Sequence, residues 1–151
     1  MIEGRSRVAI AALALSAAGF VGIALNEGYT DHAVIPIPGD VPTIGFGTTG
    51  GVQMGDHTTP PKALERALSD VSKFEGALKR CVTVPLHQYE YDALVDFAYN
   101  VGQTNFCGST LVKKLNAGDY AGACAEISRW VKQPQLKARR ARERAQCEGK
   151  L

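Results

Sequence analysis

The chain has 151 residues, with 17 Lys and Arg against 15 Asp and Glu, for a net charge of +2. At 45% hydrophobic and 21% charged it has ordinary globular composition, which excludes a disordered, collagen-like or long multidomain protein. A charge of +2 on this length makes no electrostatic case for a nucleic-acid partner.

The averages hide an uneven distribution. Ile2-Glu3-Gly4-Arg5 matches a processing-protease recognition site, from which nothing is drawn. Val8 to Leu25 then runs 18 residues without a charge. As a helix it spans about 27 Å, close to the ~30 Å of a bilayer's hydrocarbon layer. Arg5 and Arg7 precede it, so the N-terminus is expected to stay cytoplasmic and the rest to be exported. Seven of the 18 residues are Ala, two Gly and one Ser, which makes membrane insertion marginal. Four readings compete: a cleaved signal peptide with small residues at Ala14, Ser16 and Ala18, a permanent anchor, an anchor able to leave the bilayer, and a buried core helix. Asn26 and Glu27 follow with no polar spacer.

In residues 29–56, the stretches Ala33 to Asp40 and Thr43 to Gly47 read as short strands around a Gly39-Asp40 turn. Thr59-Pro60-Pro61 starts a helix over 62–80, with Leu64, Leu68, Val71, Phe74 and Leu78 as its apolar stripe. Pro85 opens the next, with Leu86, Tyr89, Leu94, Phe97 and Val101 inward and an end near Gly102. Leu111, Val112 and Leu115 mark a third helix. Asp119 caps a fourth that carries Cys124, Ile127, Trp130 and Val131, and the last runs from about Leu136 to Glu148. The expected class is α+β: a small β-rich lobe, a larger helical lobe, and a ligand cleft between them.

Cys81, Cys107, Cys124 and Cys147 all follow the apolar run, and an even count in an exported domain favours two disulfides. Of three connectivities, Cys81–Cys107 with Cys124–Cys147 is preferred; four reduced, buried thiols are the alternative. No Cys-x-x-Cys occurs and His32, His57 and His87 are scattered, so neither a zinc site nor any cofactor is expected. Residues 132–151 hold seven Lys and Arg against two acids, whereas residues 26–131 hold eight against twelve. Arg139, Arg140, Arg142 and Arg144 read first as a solvated helix face. Attraction to an anionic polymer or membrane, and inward pairing of one or two of them with an acid, are the alternatives.

There is no Gly-Lys-Ser/Thr phosphate loop, no His-Glu-x-x-His and no Gly-x-Ser-x-Gly. What remains is an acid-centred site. Glu27 ends the apolar run at the lobe junction, where partial burial raises a carboxyl toward the range of a general acid. A helix-end carboxylate near a cap is the commoner fate of such a residue. Cleaving a glycosidic bond needs that acid and a second group for the oxocarbenium-like charge or the water. Asp31, Asp40 and Thr43 are the polar candidates nearby.

Asn26-Glu27-Gly28-Tyr29, with Val41-Pro42-Thr43-Ile44-Gly45-Phe46-Gly47-Thr48, resembles the active-site stretch of the phage-type lysozymes, glycoside hydrolase family 24. The resemblance continues through Ala98 to Gly102, Ser109 to Asn116, Gly118-Asp119-Tyr120, Arg129-Trp130, Arg139-Arg140, Glu143 and Cys147. It covers nearly everything from residue 26 onward. It implies a lysozyme-like fold and an endolysin that cleaves peptidoglycan between N-acetylmuramic acid and N-acetylglucosamine. Glu27 and Thr43 match the ends of the family's catalytic pattern. Its intervening acid would fall near Pro36 or Ile37, so Asp40, three residues before Thr43, is assigned that role through an altered loop. Gly-Asp is also good turn chemistry regardless of function. Gln133-Pro134-Gln135-Leu136 replaces the Gly-rich approach usual before the Arg pair.

Some members of the family carry a signal-anchor-release segment, and residues 1–25 resemble one, ahead of a catalytic domain at 26–151. The implied protein is a monomer, exported, tethered in the inner membrane through residues 8–25, and then periplasmic. A non-catalytic peptidoglycan-binding or membrane-tethered adaptor on the same fold, and a lytic transglycosylase, are the alternatives.

Overall fold

The computed structural model describes residues 5–151. Most of the Ile2-Glu3-Gly4-Arg5 motif and the start of the 1–25 segment lie outside the described residues. The chain divides into two compact units, one of Phe20–Lys73 and one of the preceding segment with Phe74–Leu151.

In the Phe20–Lys73 unit, α1 (Ala17–Glu27) ends at Gly28, whose φ of +69° reverses the chain. β1 (Thr30–Val34) and β2 (Thr43–Gly45) pair antiparallel, Thr30 opposite Gly45 and Val34 opposite Thr43, with a bulge between. The first strand thus lies earlier than the sequence pattern suggests. Pro36 and Pro38 have no N–H to give a ladder, so pairing stops at Val34. The Asp40 N–H donates to the Ile37 carbonyl at 2.9 Å, and Pro38 and Gly39 (φ +92°) fill the corners of a type II turn. Ala33, Ile44 and Val52 form this unit's small core.

α2 (Pro60–Cys81) begins where Thr59 and its prolines place it, the Ala63 N–H donating to the Thr59 carbonyl at 2.8 Å. Its buried face in this unit is Ala63, Ala67 and Val71, while Leu64 and Leu68 are exposed, contrary to the expected leucine stripe. Close approach of β2 sets that face: a Cβ added at Gly45 would sit 2.9 Å from the Ala63 Cβ. Small residues therefore face the sheet: the expected stripe is displaced by one position at Leu64 and Leu68, while Val71 and Leu78 are buried as expected.

The other unit is built around α3 (Gln88–Val101), in which every residue from Glu90 to Tyr99 is buried. A helix covered on all sides carries charge only where a partner meets it. Glu90 takes a bidentate pair from Arg7, Asp92 is met by Ser16 and Gln88, and Asp96 by Arg139. The helix starts three residues after Pro85, behind a capping box of His87 and Glu90; Leu86 instead bridges to Val8.

The N-terminal segment takes no single helix here. Val8 exchanges backbone bonds with Leu86, Ile10–Ala12 form a 3-10 turn, and α1 begins only at Ala17. Among the described residues no helix is long and apolar enough to cross a membrane. Around α3 lie α4 (Gln103–Cys107), α5 (Thr110–Asn116), α6 (Tyr120–Glu126) and α7 (Lys137–Cys147). Ser109 and Asp119 cap α5 and α6 through the N–H groups of Val112 and Gly122. α6 is shorter than expected, giving way to a 3-10 turn at Ile127–Arg129, so Trp130 and Val131 lie beyond it. The disulfides are Cys81–Cys107 and Cys124–Cys147, the preferred pairing.

Candidate active site

The Phe20–Lys73 unit places Glu27 against the Thr43-Ile44-Gly45-Phe46-Gly47-Thr48 hairpin. Ile44 and Thr48 exchange backbone hydrogen bonds at 2.9 and 3.0 Å, which closes Gly45, Phe46 and Gly47 into a tight loop. The buried Thr48 hydroxyl donates to Asp70 of α2 at 2.8 Å, tying the loop's end to the helix. Tyr29 packs its ring on Phe46, centroids 5.3 Å apart. The half-buried Glu27 reaches the backbone of Gly47 with its carboxyl: a Cβ there would lie 2.7 Å from Glu27 Oε2.

The other residues singled out in the sequence are nearby in the chain but differently placed. Thr43 is half-buried at the start of β2, its hydroxyl donating to the Val41 carbonyl at 3.3 Å. Asp40 is exposed at the end of the type II turn. Asp31 is exposed on β1 and meets His32 Nδ1 at 2.7 Å, which holds its carboxyl below the usual range. The histidines read as scattered include a facing pair, since His32 lies across a bridge from His57. Among the described residues no group of three or more His, Cys, Asp or Glu could hold a metal ion.

Residues 24–143 match the family described as phage lysozyme. The chain belongs to the phage lysozyme family. That family implies a glycosidase of the muramidase type. A SAR-endolysin from Pseudomonas phage phiKMV is 39% identical over 122 residues, 81% of this chain and 73% of that one. An endolysin from Acyrthosiphon pisum secondary endosymbiont phage 1 is 41% identical over 90 residues; the match spans 60% of this chain and 62% of that relative. In three dimensions the fold matches an endolysin from Escherichia coli O157:H7 phage FAHEc1 with a TM-score of 0.82 and 33% identity, covering 93% of this chain and 96% of the other.

One feature of this family member is not read from its sequence, and a second is left among alternatives. The Glu27–Gly47 contact is the first; its signal is the Gly-x-Gly after Thr43-Ile44, which the resemblance places in the active-site stretch without assigning it a role. The second is the fate of the arginine run, for which a solvated face is the first reading and inward pairing an alternative. Arg139 and Arg140 are buried: Arg139 pairs with Asp96 and Glu143 at 2.9 Å each, and Arg140 with Glu143 at 2.5 Å. Arg140 also donates to the Trp130 carbonyl and to Asn100. Burial pushes the Glu143 carboxyl up, and nearby Asp96 adds to this, while the two guanidiniums pull it down. Inward pairing therefore describes these two, and the solvated face describes the exposed Arg142 and half-exposed Arg144.

Proposed function

We propose that this phage lysozyme is an endolysin that hydrolyses the β-1,4 bond between N-acetylmuramic acid and N-acetylglucosamine, opening the host wall for phage release. Glu27 protonates the glycosidic oxygen. Asp40 stabilises the developing positive charge or orients water, and Thr43 helps hold that water. The observation that carries the reading is the Glu27 carboxyl held at the end of α1 against the Gly47 backbone of the Thr-Ile-Gly-Phe-Gly hairpin, inside the matched residues. Glu27→Gln and Asp40→Asn are each expected to abolish most lysis of permeabilised Gram-negative cells. Full activity in either variant removes that residue from the mechanism. Mass spectrometry of digested peptidoglycan separates the chemistries: new reducing ends mark hydrolysis, anhydromuramoyl ends a transglycosylase, and intact glycan a binding protein.

We further propose that residues 1–25 act as a releasable inner-membrane anchor ahead of the 26–151 domain, which becomes periplasmic on release. The charge-free 18-residue run behind Arg5 and Arg7 supports this, as does the name SAR-endolysin borne by the phiKMV relative. Gly22→Leu is the cleanest perturbation, because a Cβ there meets nothing within 4 Å. Gly19→Leu would confound it: a Cβ there falls 2.9 Å from the Asp92 Cγ. Gly22→Leu is expected to prolong membrane residence and delay lysis. A soluble periplasmic form whose mass lacks the first 25 residues overturns release in favour of cleavage.

A further inference from the structure

We infer that Gly47 is a positioning residue that sets where the Glu27 carboxyl sits; this rests on the proposed role of Glu27 as the acid. A Cβ at Gly47 would lie 2.7 Å from Glu27 Oε2, 3.1 Å from Cδ and 3.2 Å from Cγ. Three atoms of one side chain thus lean on the face of the backbone that only glycine leaves bare. Its φ of +80° also belongs to glycine's range.

The loop cannot step aside. Ile44 and Thr48 clamp it with reciprocal backbone bonds, Thr48 is tied to Asp70, and Tyr29 packs on Phe46 next to Gly47. At Gly45 a Cβ would lie 2.9 Å from the Ala63 Cβ, so that end is packed on α2 as well. The movable partner is the Glu27 side chain. A methyl at 47 therefore displaces the carboxyl and leaves the fold in place, and a displacement near 1 Å at a reacting group costs about 10²-fold in rate.

The test compares Gly47→Ala with Gly51→Ala. Gly51 has a similar φ of +71° and open space within 4 Å, so it imposes the backbone penalty without the contact. The expected result is a lowered unfolding midpoint in both variants, more so for Gly47→Ala because the Glu27 side chain must also move, with kcat on purified peptidoglycan falling about 10²-fold for Gly47→Ala and KM within about twofold of wild type. Equal activity of the two variants overturns the inference. A second measurement is independent of activity: the stability cost of Gly47→Ala is measured with and without Glu27→Ala. Relief of that cost in the double variant is expected, and simple additivity overturns the contact. If Glu27→Gln is fully active, the acid reading fails and the catalytic consequence with it, while the stability cycle still reads the contact.

Discussion

Arg140→Met is a demanding perturbation of this molecule. The Arg140 side chain is 2% exposed and that of Glu143 1%. Together with Arg139 and Asp96 they form a buried set of two cations and two carboxylates that is neutral overall. Methionine matches the arginine side chain only as far as Nε, so it keeps the apolar stem, loses the guanidinium 5.1 Å over the Phe97 ring, and leaves one carboxylate in excess. It also strips a donor from Asn100 and from the Trp130 carbonyl. Breaking such a pair from one side costs about 3–5 kcal/mol, and at about 2–4 °C per kcal/mol the thermal midpoint falls by roughly 6–20 °C. Burial already pushes Glu143 upward, and losing Arg140 removes one opposing pull. A carboxyl with a raised folded-state value binds its proton more tightly in the folded state. The deficit is therefore largest near neutral pH and shrinks as pH falls through the folded value. Adding Glu143→Leu restores charge balance, and the double variant should recover most of the loss. Urea unfolding of the two variants at several pH values is the assay. A single-variant cost under about 1 kcal/mol, or a double variant no better than the single, refutes the reasoning.

Replacing Cys81 and Cys107 by Ala opens a loop of sequence separation 26, for which chain entropy predicts a loss of about 3.5 kcal/mol in denaturant unfolding. Arg7→Met should cost about 1–3 kcal/mol, because Glu90, nearly buried, keeps only the His87 N–H among the bonds described for it. Hydrogen exchange should show protection lost first at the Val8–Leu86 bridge, and unchanged protection there contradicts a role for the Arg7–Glu90 pair in holding the N-terminal segment. Lys114 holds Glu126 below its ordinary value at 2.7 Å. The stability from that pair is present above the unfolded value and lost as pH falls through the folded one, so Glu126→Gln should flatten the acid limb of the unfolding profile.

The legible parts of this protein were those governed by local chemistry. Gly102, the Asp119 position and the prolines at 60 and 61 mark helix ends that spacing alone exposes. The preferred cysteine pairing, one of three left open, is the one formed. Where the sequence misled, a contact with a distant element decided the outcome. Leu64 and Leu68 face outward because β2 approaches α2 too closely for leucine. Arg139 and Arg140 turn inward because Asp96 lies 43 residues away on α3, a separation no local pattern records. Glu27 was recognisable as a candidate from its position and motif, but its seat on Gly47 depends on a hairpin closed by Ile44 and Thr48.

The apolar run is also more hydrophobic than this fold requires. Leu13 and Ile23 are buried at 7% and 1% exposure, yet Val21 and Leu25, one turn apart on α1, are 55% and 78% exposed. A helix kept only for a core would place polar residues there. The run needs no charge of its own, because its polar partners come from later in the chain. The Leu15 N–H donates to Glu75, and the Ser16 N–H and hydroxyl donate to Asp92. In a bilayer the same backbone would satisfy itself as a continuous helix. This is what the proposed releasable anchor requires: a segment without acids of its own that finds them elsewhere in the folded chain. Val21→Gln and Leu25→Gln test this directly. Each should change the stability of the folded protein by no more than about 0.5 kcal/mol, since both sites face solvent, yet together they should move newly exported chains from the membrane to the soluble fraction. Unchanged membrane partition, with folded stability intact, would show that the excess apolar surface serves something other than the bilayer.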